Sequence, residues 1–472
     1  MEVSVEREIS LDEVASHNTA DDFWIVMNNK VYDLSGFHKI HPGGDLILCA
    51  AGSDGTVLFE HYHFTRLDEA KRMLKGKCIG SLVGSESPIM GKFYEDVAAK
   101  ARLALQDLPR RPLLAGVLFF LDVACIISLV AFGLYLMQLN TVSPALQFIV
   151  PVALSICSSR VSAHSHAVGH LQVFDKKWAR FGELIMSMFG ARTMPPYALP
   201  VATVTYRTLL HKPRRLAQLE YSSMRGPFEH QALHHVKGAD LEYDACKFVA
   251  SLAGIIRVHD REPLRWHHVW QANYICRNLS FAVAILGFDL AAPLLKLSHC
   301  RLTFRVHQWM DAAAALFGAI FDVALVTICW ILPWGNVGVL AFVVACRMST
   351  TFLLLFYCQH VWSSSLTEEL ANKDWGKYNT ETSISVIGEN MTWHPLLWGY
   401  TGNTPSTLTY HIEHTLFPGV NYLYLSILSP IVQESCKKYG ITYHALRSFG
   451  DMNRLYAENS IHFSRETKRK CN

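Results

Sequence analysis

Leu113 to Met137 is a single apolar run broken by one acid, Asp122. A helix needs roughly 20 apolar residues to cross the hydrocarbon core of a bilayer, and a run of this length leaves a chain few options. In lipid every backbone polar group must be satisfied within the segment, so an embedded run must be helical. Three further apolar runs follow, Pro144 to Ser159, Ala312 to Leu332 and Val337 to Tyr357. The connections 138–143 and 333–336 contain no Lys or Arg, whereas Arg110, Arg111, Arg160, Lys176, Lys177, Arg301 and Arg305 lie at the opposite ends. Cytosolic connections are enriched in Lys and Arg. The pattern therefore predicts two helical hairpins that dip in from the cytosol, with both termini on that side. Leu279–Leu297 is also apolar, but Asp289 and Pro293 interrupt it, and it is expected to be interfacial or buried rather than spanning.

Composition fits a chain that is part soluble and part embedded. Half of the 472 residues are hydrophobic and 18% are charged, with a mean hydropathy of +0.16. A net charge of +3 is too small to argue for a nucleic-acid partner, and none is expected. The 12 Cys show no C-x-x-C pair, so neither zinc-finger spacing nor a disulfide framework is expected. Residues 1–8 are polar and acidic and do not read as a signal peptide. The soluble part is expected at 8–85, where Trp24–Met27 and Lys30–Leu34 flank Asn28-Asn29 as two strands around a tight turn.

The chain has 23 His, and many of them cluster. His166 and His170 follow the second apolar run, and His230, His234 and His235 lie between the second and third. His360 ends the fourth run, and His411 and His414 come after it. Residues i and i+4 share a helix face, so two imidazoles at that spacing can reach one metal. His164 stands two residues before His166 and is expected to point elsewhere. A lone His is more often a satisfied polar side chain than a ligand. Three clusters at ligand spacing, all on the predicted cytosolic face, argue for metal. Imidazole suits Fe, Cu, Ni and Zn. Zinc is satisfied by fewer ligands and does not activate O2, and about eight imidazoles indicate two metals.

A second pattern lies nearer the N-terminus. His41-Pro42-Gly43-Gly44 is followed by Ala51-Gly52-Ser53-Asp54-Gly55-Thr56 and by Phe59-Glu60-His61-Tyr62-His63. Haem iron takes axial donors on opposite faces, and imidazole is a common one. Paired glycines let the backbone turn closely beside a porphyrin, where a Cβ would clash.

Over residues 8–82 this second pattern resembles cytochrome b5. The resemblance implies axial ligation by His41 and His63, because fused members place the second ligand four residues after the Phe; His61 is the neighbour it passes over. Two imidazoles fill both axial positions, so such a haem carries electrons rather than binding O2. A one-electron donor of this kind makes iron the consistent metal for the other clusters.

Most of the remaining chain resembles the three-box membrane fatty acid desaturases. The order of haem domain, Phe93-Tyr94, two boxes, paired spans and third box looks like their front-end branch. Box one is similar to H-D-x-G-H with Ala167 at the usual Asp, and box two fits H-x(2–3)-H-H, followed by the acidic stretch 240–244. Trp266-His267-His268-Val269-Trp270-Gln271 is similar to the family's aromatic-His-x-x-Gln region and is expected to be structural or interfacial. Box three departs from Q-I-E-H-H-L-F-P: the leading Gln is His411 and the final His is Thr415.

The resemblance implies an α+β cytochrome b5-like haem domain (8–85), a linker (86–112) and a cytosolic tail (446–472). Between linker and tail it implies an all-α integral membrane desaturase domain (113–445) with about four transmembrane helices. The expected cofactors are haem b on His41 and His63 and two non-haem irons. The iron ligands would be His166, His170, His230, His234, His235, His411 and His414, with His360 an eighth. Glu413 is expected to orient His rings. Expected partners are an acyl lipid or acyl-CoA, O2, NAD(P)H-cytochrome b5 reductase and the membrane itself. The implied activity is fatty-acyl desaturation, with a sphingolipid desaturase, a lipid hydroxylase and a metal-free membrane-anchored electron carrier as rivals. The implied location is the endoplasmic reticulum, multi-pass, with termini and active site cytosolic. The basic stretch 468–472 resembles a dilysine-type retrieval signal.

Overall fold

The computed structural model describes residues 7–174, 234–236, 256–259, 262–305, 309–340, 368–387 and 409–465, with a few isolated positions between them. Its N-terminal part is built on β1 (Glu8–Ser10), α1 (Leu11–Ser16), β2 (Trp24–Met27), β3 (Lys30–Asp33), β4 (Ser53–Asp54), α2 (Thr56–His63), α3 (Leu67–Met73) and β5 (Cys78–Val83). The five strands form one mixed sheet in the order β1-β5-β3-β2-β4. The expected hairpin is present: Trp24 pairs with Asp33 and Met27 with Lys30. Asn28 and Asn29 turn it with φ of 51° and 62°, a left-handed conformation that Asn tolerates better than most side chains. Alternation along β2 sends its residues to opposite faces. Ile25 and Met27 join Phe23, Leu34, Phe37, Phe59 and Leu74 in one core, while Trp24 and Val26 pack with Ile9, Val14 and Val31 in another.

Within the stretch expected to be a linker, Lys92–Leu105 forms a helix, α4. Phe93, Tyr94, Val97, Ala98, Ala101 and Leu105 make its buried face. Ahead of it, Ile89 donates its N–H to the Asn372 carbonyl at 2.8 Å, and Trp375 donates back to Ile89 at 2.8 Å. The segment is thereby stitched to the distant chain rather than left as a tether.

Next come α5 (Leu113–Leu136), α6 (Pro144–Gly169), α7 (Tyr274–Arg305) and α8 (Trp309–Ile331). Among the described residues two helices are long and apolar enough to cross a membrane, Leu113–Leu136 and Trp309–Gly335. They coincide with the first and third expected spans. The second expected span opens α6, but only Pro144–Ser158 is apolar, because Arg160, His164 and His166 follow on the same helix. Most of the fourth, Val337–Tyr357, lies outside the described residues. Four spans are therefore not established.

The stretch Leu279–Leu297 belongs to the continuous helix α7. Its apolar side chains Leu279, Val283, Leu290 and Leu294 are exposed, whereas Asp289 and Lys296 are buried. Lys296 pairs with Asp322 of α8 at 2.9 Å, and Asp289 accepts from the Trp330 indole at 2.9 Å. Polar-inward and apolar-outward is the arrangement lipid selects.

The C-terminal part comprises α9 (Glu368–Lys373), α10 (Trp375–Thr382), β6 (Ile384–Val386), α11 (His411–Leu416), α12 (Leu425–Tyr439), β7 (His444–Leu446) and α13 (Phe449–Phe463). The two strands pair in parallel. Helix α12 lies against α4, where Asp96 accepts from Lys438 at 2.9 Å and from Ser435 at 3.0 Å. The stretch expected to be a tail carries α13, which is linked to the Trp266–Ala272 turn through the Gln271 amide and the Ser460 carbonyl.

Candidate active site

The first element of the site is a cavity of about 810 Å³ on the open side of the N-terminal sheet. His41 and His63 face each other across it, with ring centroids 6.0 Å apart. Two imidazoles bound to one metal at about 2 Å each would have ring centroids roughly 6 Å apart, so His41 and His63 would hold a haem iron between them. Each ring is oriented by its backbone. His63 Nδ1 donates to the Phe59 carbonyl at 2.9 Å, one turn back in α2, and His41 Nδ1 to the Gly44 carbonyl at 3.3 Å. In that tautomer the Nε2 of each ring would be the nitrogen that ligates iron. A Cβ on Gly43 would sit 2.9 Å from His41 Cε1 and force the ring to move. The walls are apolar, including Ile25, Phe37, Leu58 and Phe59, and the rim carries Arg66, Arg110 and Arg111. Burial pulls the Arg110 guanidinium down to about 10. Burial likewise lowers His63, favouring the neutral ring that ligates metal.

The second element is a knot of imidazoles. His166, His170, His235 and His414 bring ligand nitrogens within 4.8 Å of one another. His170 Nε2 lies 3.3 Å from His166 Nε2 and 3.1 Å from His235 Nε2. The His414 ring centroid is 4.7 Å from those of His166 and His170 and 4.9 Å from that of His235. Four nitrogen donors, three of them on buried rings and that of His166 half-buried, converge on one point and suit a cation, and the donor set is one that iron accepts. His166 lies on the last turn of α6 and His170 caps its C-terminus, one turn further on, so the two rings meet as their spacing predicts. Box three arrives on α11, and the loop after it is tied to box one, since Gln172 donates to the Pro418 carbonyl at 2.8 Å and Asn421 to the Gln172 carbonyl at 2.7 Å. Box two is held by Trp375, whose indole donates to the Val236 carbonyl at 2.9 Å.

His234 and His411 are buried beside the knot, their rings 5.4 Å from His235 and 6.1 Å from His414. His230 and His360 lie outside the described residues. His164 is turned away, with its Nδ1 3.3 Å from Asp122, which also accepts from Arg160 at 2.9 Å. Among the described residues Glu413 does not reach a cluster ring. It accepts from Tyr443 at 2.7 Å and from Ser385 at 3.2 Å, while burial pushes its carboxyl up. Thr415 donates to the Ile412 carbonyl at 3.0 Å and shares a 3.2 Å bond with Ser383, so its hydroxyl is committed away from the knot.

Sequence reasoning passed over three features. His61 is fully buried, burial lowers it to about 3, and its ring faces His235 and Trp375 rather than His41. Tyr62 places its hydroxyl 2.9 Å from His170 Nδ1. Neither carried a signal beyond lying between two histidines. The Asp122–Arg160 pair did carry one, because an acid inside an apolar run implies a buried partner. The haem cavity and the imidazole knot share a wall: His170 and Leu171 line the cavity along with His63. Phe64 packs on Phe417 at 4.4 Å, and Arg111 donates to the Leu171 carbonyl at 2.8 Å across the same seam.

A cavity with two facing imidazoles abuts a cluster of four histidines that could hold a metal ion, beside long apolar helices. Residues 10–83 match the "Cytochrome b5-like Heme/Steroid binding domain" family, and 225–447 match the "Fatty acid desaturase" family. The chain is 24% identical to an acyl-lipid (8-3)-desaturase of Physcomitrium patens, over 94% of this chain and 88% of that one. It is also 24% identical to the Delta(5) fatty acid desaturase A of Dictyostelium discoideum, over 94% of this chain and 91% of that one. Its N-terminal part is 35% identical to a cytochrome b5 of Candida tropicalis, over 27% of this chain and 88% of that one. The chain is a fatty acid desaturase with a fused cytochrome b5-like domain, similar over nearly its whole length to acyl-lipid desaturases.

Proposed function

We propose that the chain inserts a cis double bond into an already unsaturated acyl chain, on the carboxyl side of an existing bond, using O2. The observation that carries the reading is the shared wall, with His63 of the haem cavity and His170 of the imidazole knot lining one space. In this reading His41 and His63 hold haem b. His166, His170, His230, His234, His235, His411 and His414, with His360, hold two irons. When bound, these groups supply one-electron transfer and the O2-derived oxidant that takes two hydrogens from adjacent methylenes, releasing water.

The chain's own residues supply the rest. Backbone carbonyls at Phe59 and Gly44 set the haem-ligand tautomers. The knot is buried at His170, His235 and His414, which keeps bulk water from it. Apolar helices around it receive the acyl chain and decide which carbons reach it.

The reading extends to the domain limits 8–85, 86–112, 113–445 and 446–472. It also extends to an acyl lipid or acyl-CoA as substrate, NAD(P)H-cytochrome b5 reductase as electron source, and the endoplasmic reticulum membrane with termini and histidine clusters cytosolic. The test is lipid profiling of a host that expresses the chain and is fed defined polyunsaturated acids. A product two hydrogens lighter, with its new bond on the carboxyl side, supports the reading. A hydroxylated product, or a product confined to sphingoid bases, overturns it.

A further inference from the structure

We propose that Tyr62 is a positioning residue that builds the haem domain into the iron site, by holding the ring of His170 and by providing the short bonded path between the two metal centres. The inference rests on His170 being an iron ligand, as proposed above. The Nε2 of His170 points into the knot, 3.3 Å and 3.1 Å from its neighbours' Nε2 atoms. A neutral imidazole that gives its Nε2 lone pair to a metal carries its proton on Nδ1. That Nδ1–H donates to the Tyr62 hydroxyl oxygen at 2.9 Å.

Metal-bound histidines generally anchor their second nitrogen on a carboxylate, a carbonyl or water, and that anchor fixes tautomer and ring angle. Here the anchor comes from the other domain. Tyr62 sits on the last turn of α2, next in sequence to His63. The two rings lie at 21° with centroids 6.2 Å apart. The seam that holds them is closed by independent contacts: Phe64 on Phe417, Arg102 donating to the Phe64 carbonyl at 2.9 Å, and Arg111 to that of Leu171 at 2.8 Å.

The link from His63 to His170 is thus one step of backbone, the Tyr62 side chain and one hydrogen bond. With both groups bound, a haem held by His41 and His63 would supply single electrons to iron held at His170, and Tyr62 would lie on the path between them. No atom is transferred through the phenol.

The test uses the full-length holoenzyme and Tyr62→Phe, which keeps the ring and removes only the hydroxyl. The haem spectrum should be unchanged, which also reports that the N-terminal domain is folded. Loss of such an anchor typically costs roughly 10- to 100-fold in metal affinity or activity. Stopped-flow reoxidation of ferrous haem by the iron centre should slow within that range, and kcat should fall while KM is kept. The Mössbauer signature of the non-haem iron should also change. Tyr62→Gln, whose amide oxygen can accept from Nδ1–H, should recover part of the iron signature. Wild-type reoxidation and an unchanged iron signature in Tyr62→Phe would overturn the inference and leave the iron reading standing. No iron in the wild-type chain would overturn both. If Tyr62→Phe loses its haem, Tyr62→Gln decides by the same two readouts.

Discussion

Thr415 stands where the family pattern has an imidazole, yet its hydroxyl is bonded to Ile412 and Ser383 and is almost fully buried. Thr415→His must therefore displace Ser383, and overpacking of this kind costs about 1–3 kcal/mol. The expected result is a lower melting temperature with no added iron; an additional iron ligand, seen as raised metal affinity, would contradict it. His41→Ala or His63→Ala in the full chain should abolish a low-spin bis-imidazole haem spectrum, whereas His61→Ala should keep it, because His61 faces Trp375 and His235 instead of the cavity. Loss of the spectrum in His61→Ala alone would exchange the two assignments. Residue types and spacings were readable from the sequence wherever they obey a helical or motif period, as His166 and His170 do at the end of α6. Tyr62, Ser383 and Gln172 were not readable, because each acts on a partner far away in sequence and nothing local marks them.

Helices α7 and α8 are joined by Lys296 and Asp322, with side-chain exposures of 0% and 4%. Removing one partner of a buried pair strands the other charge and typically costs about 3–5 kcal/mol, whereas replacing both with apolar residues is often neutral. Lys296→Met should thus destabilise the detergent-solubilised protein strongly, and adding Asp322→Leu should restore most of the loss; equal melting temperatures for all three forms would refute the pairing. Helices α4 and α12 are held by a weaker device. Asp96 is pulled below the usual carboxylate range, chiefly by Lys438 donating to it, with Lys100 and Ser435 adding to the effect. A depressed carboxylate contributes stability above its unfolded value and loses it as pH falls through the folded one. Wild type should therefore lose slightly more melting temperature than Asp96→Asn on acidification below about pH 4, an effect screened by salt. The hairpin at Asn28-Asn29 and the runs at α5 and α8 were legible because period and turn chemistry are local. Helix α4 was not, since its charges suggest a solvated linker until α10 and α12 supply the surface that its apolar face covers. The inward polarity of α7 was hidden for a related reason: Asp289 looks like an interruption until Trp330 is beside it.

At the scale of the whole molecule, apolar side chains on α5, α7 and α8 face outward. The Trp266, Trp270 and Tyr274 side chains stand exposed around the start of α7, the placement aromatic residues favour at a membrane–water boundary. In sealed microsomes a C-terminal tag should be digested by added protease, and its protection would refute the proposed sidedness. The fused haem domain is not a loose passenger, because its α2 end is packed onto the loop after box three and its cavity opens on His170. The joint placement of the cytochrome b5-like domain on one side of a wall and a cluster of imidazoles on the other carries the proposed function. It is tested most directly by metal and haem analysis of the purified, catalytically active full-length chain. The account predicts a single haem and about two irons per chain; active protein that contains zinc, or no metal outside the haem, would contradict it.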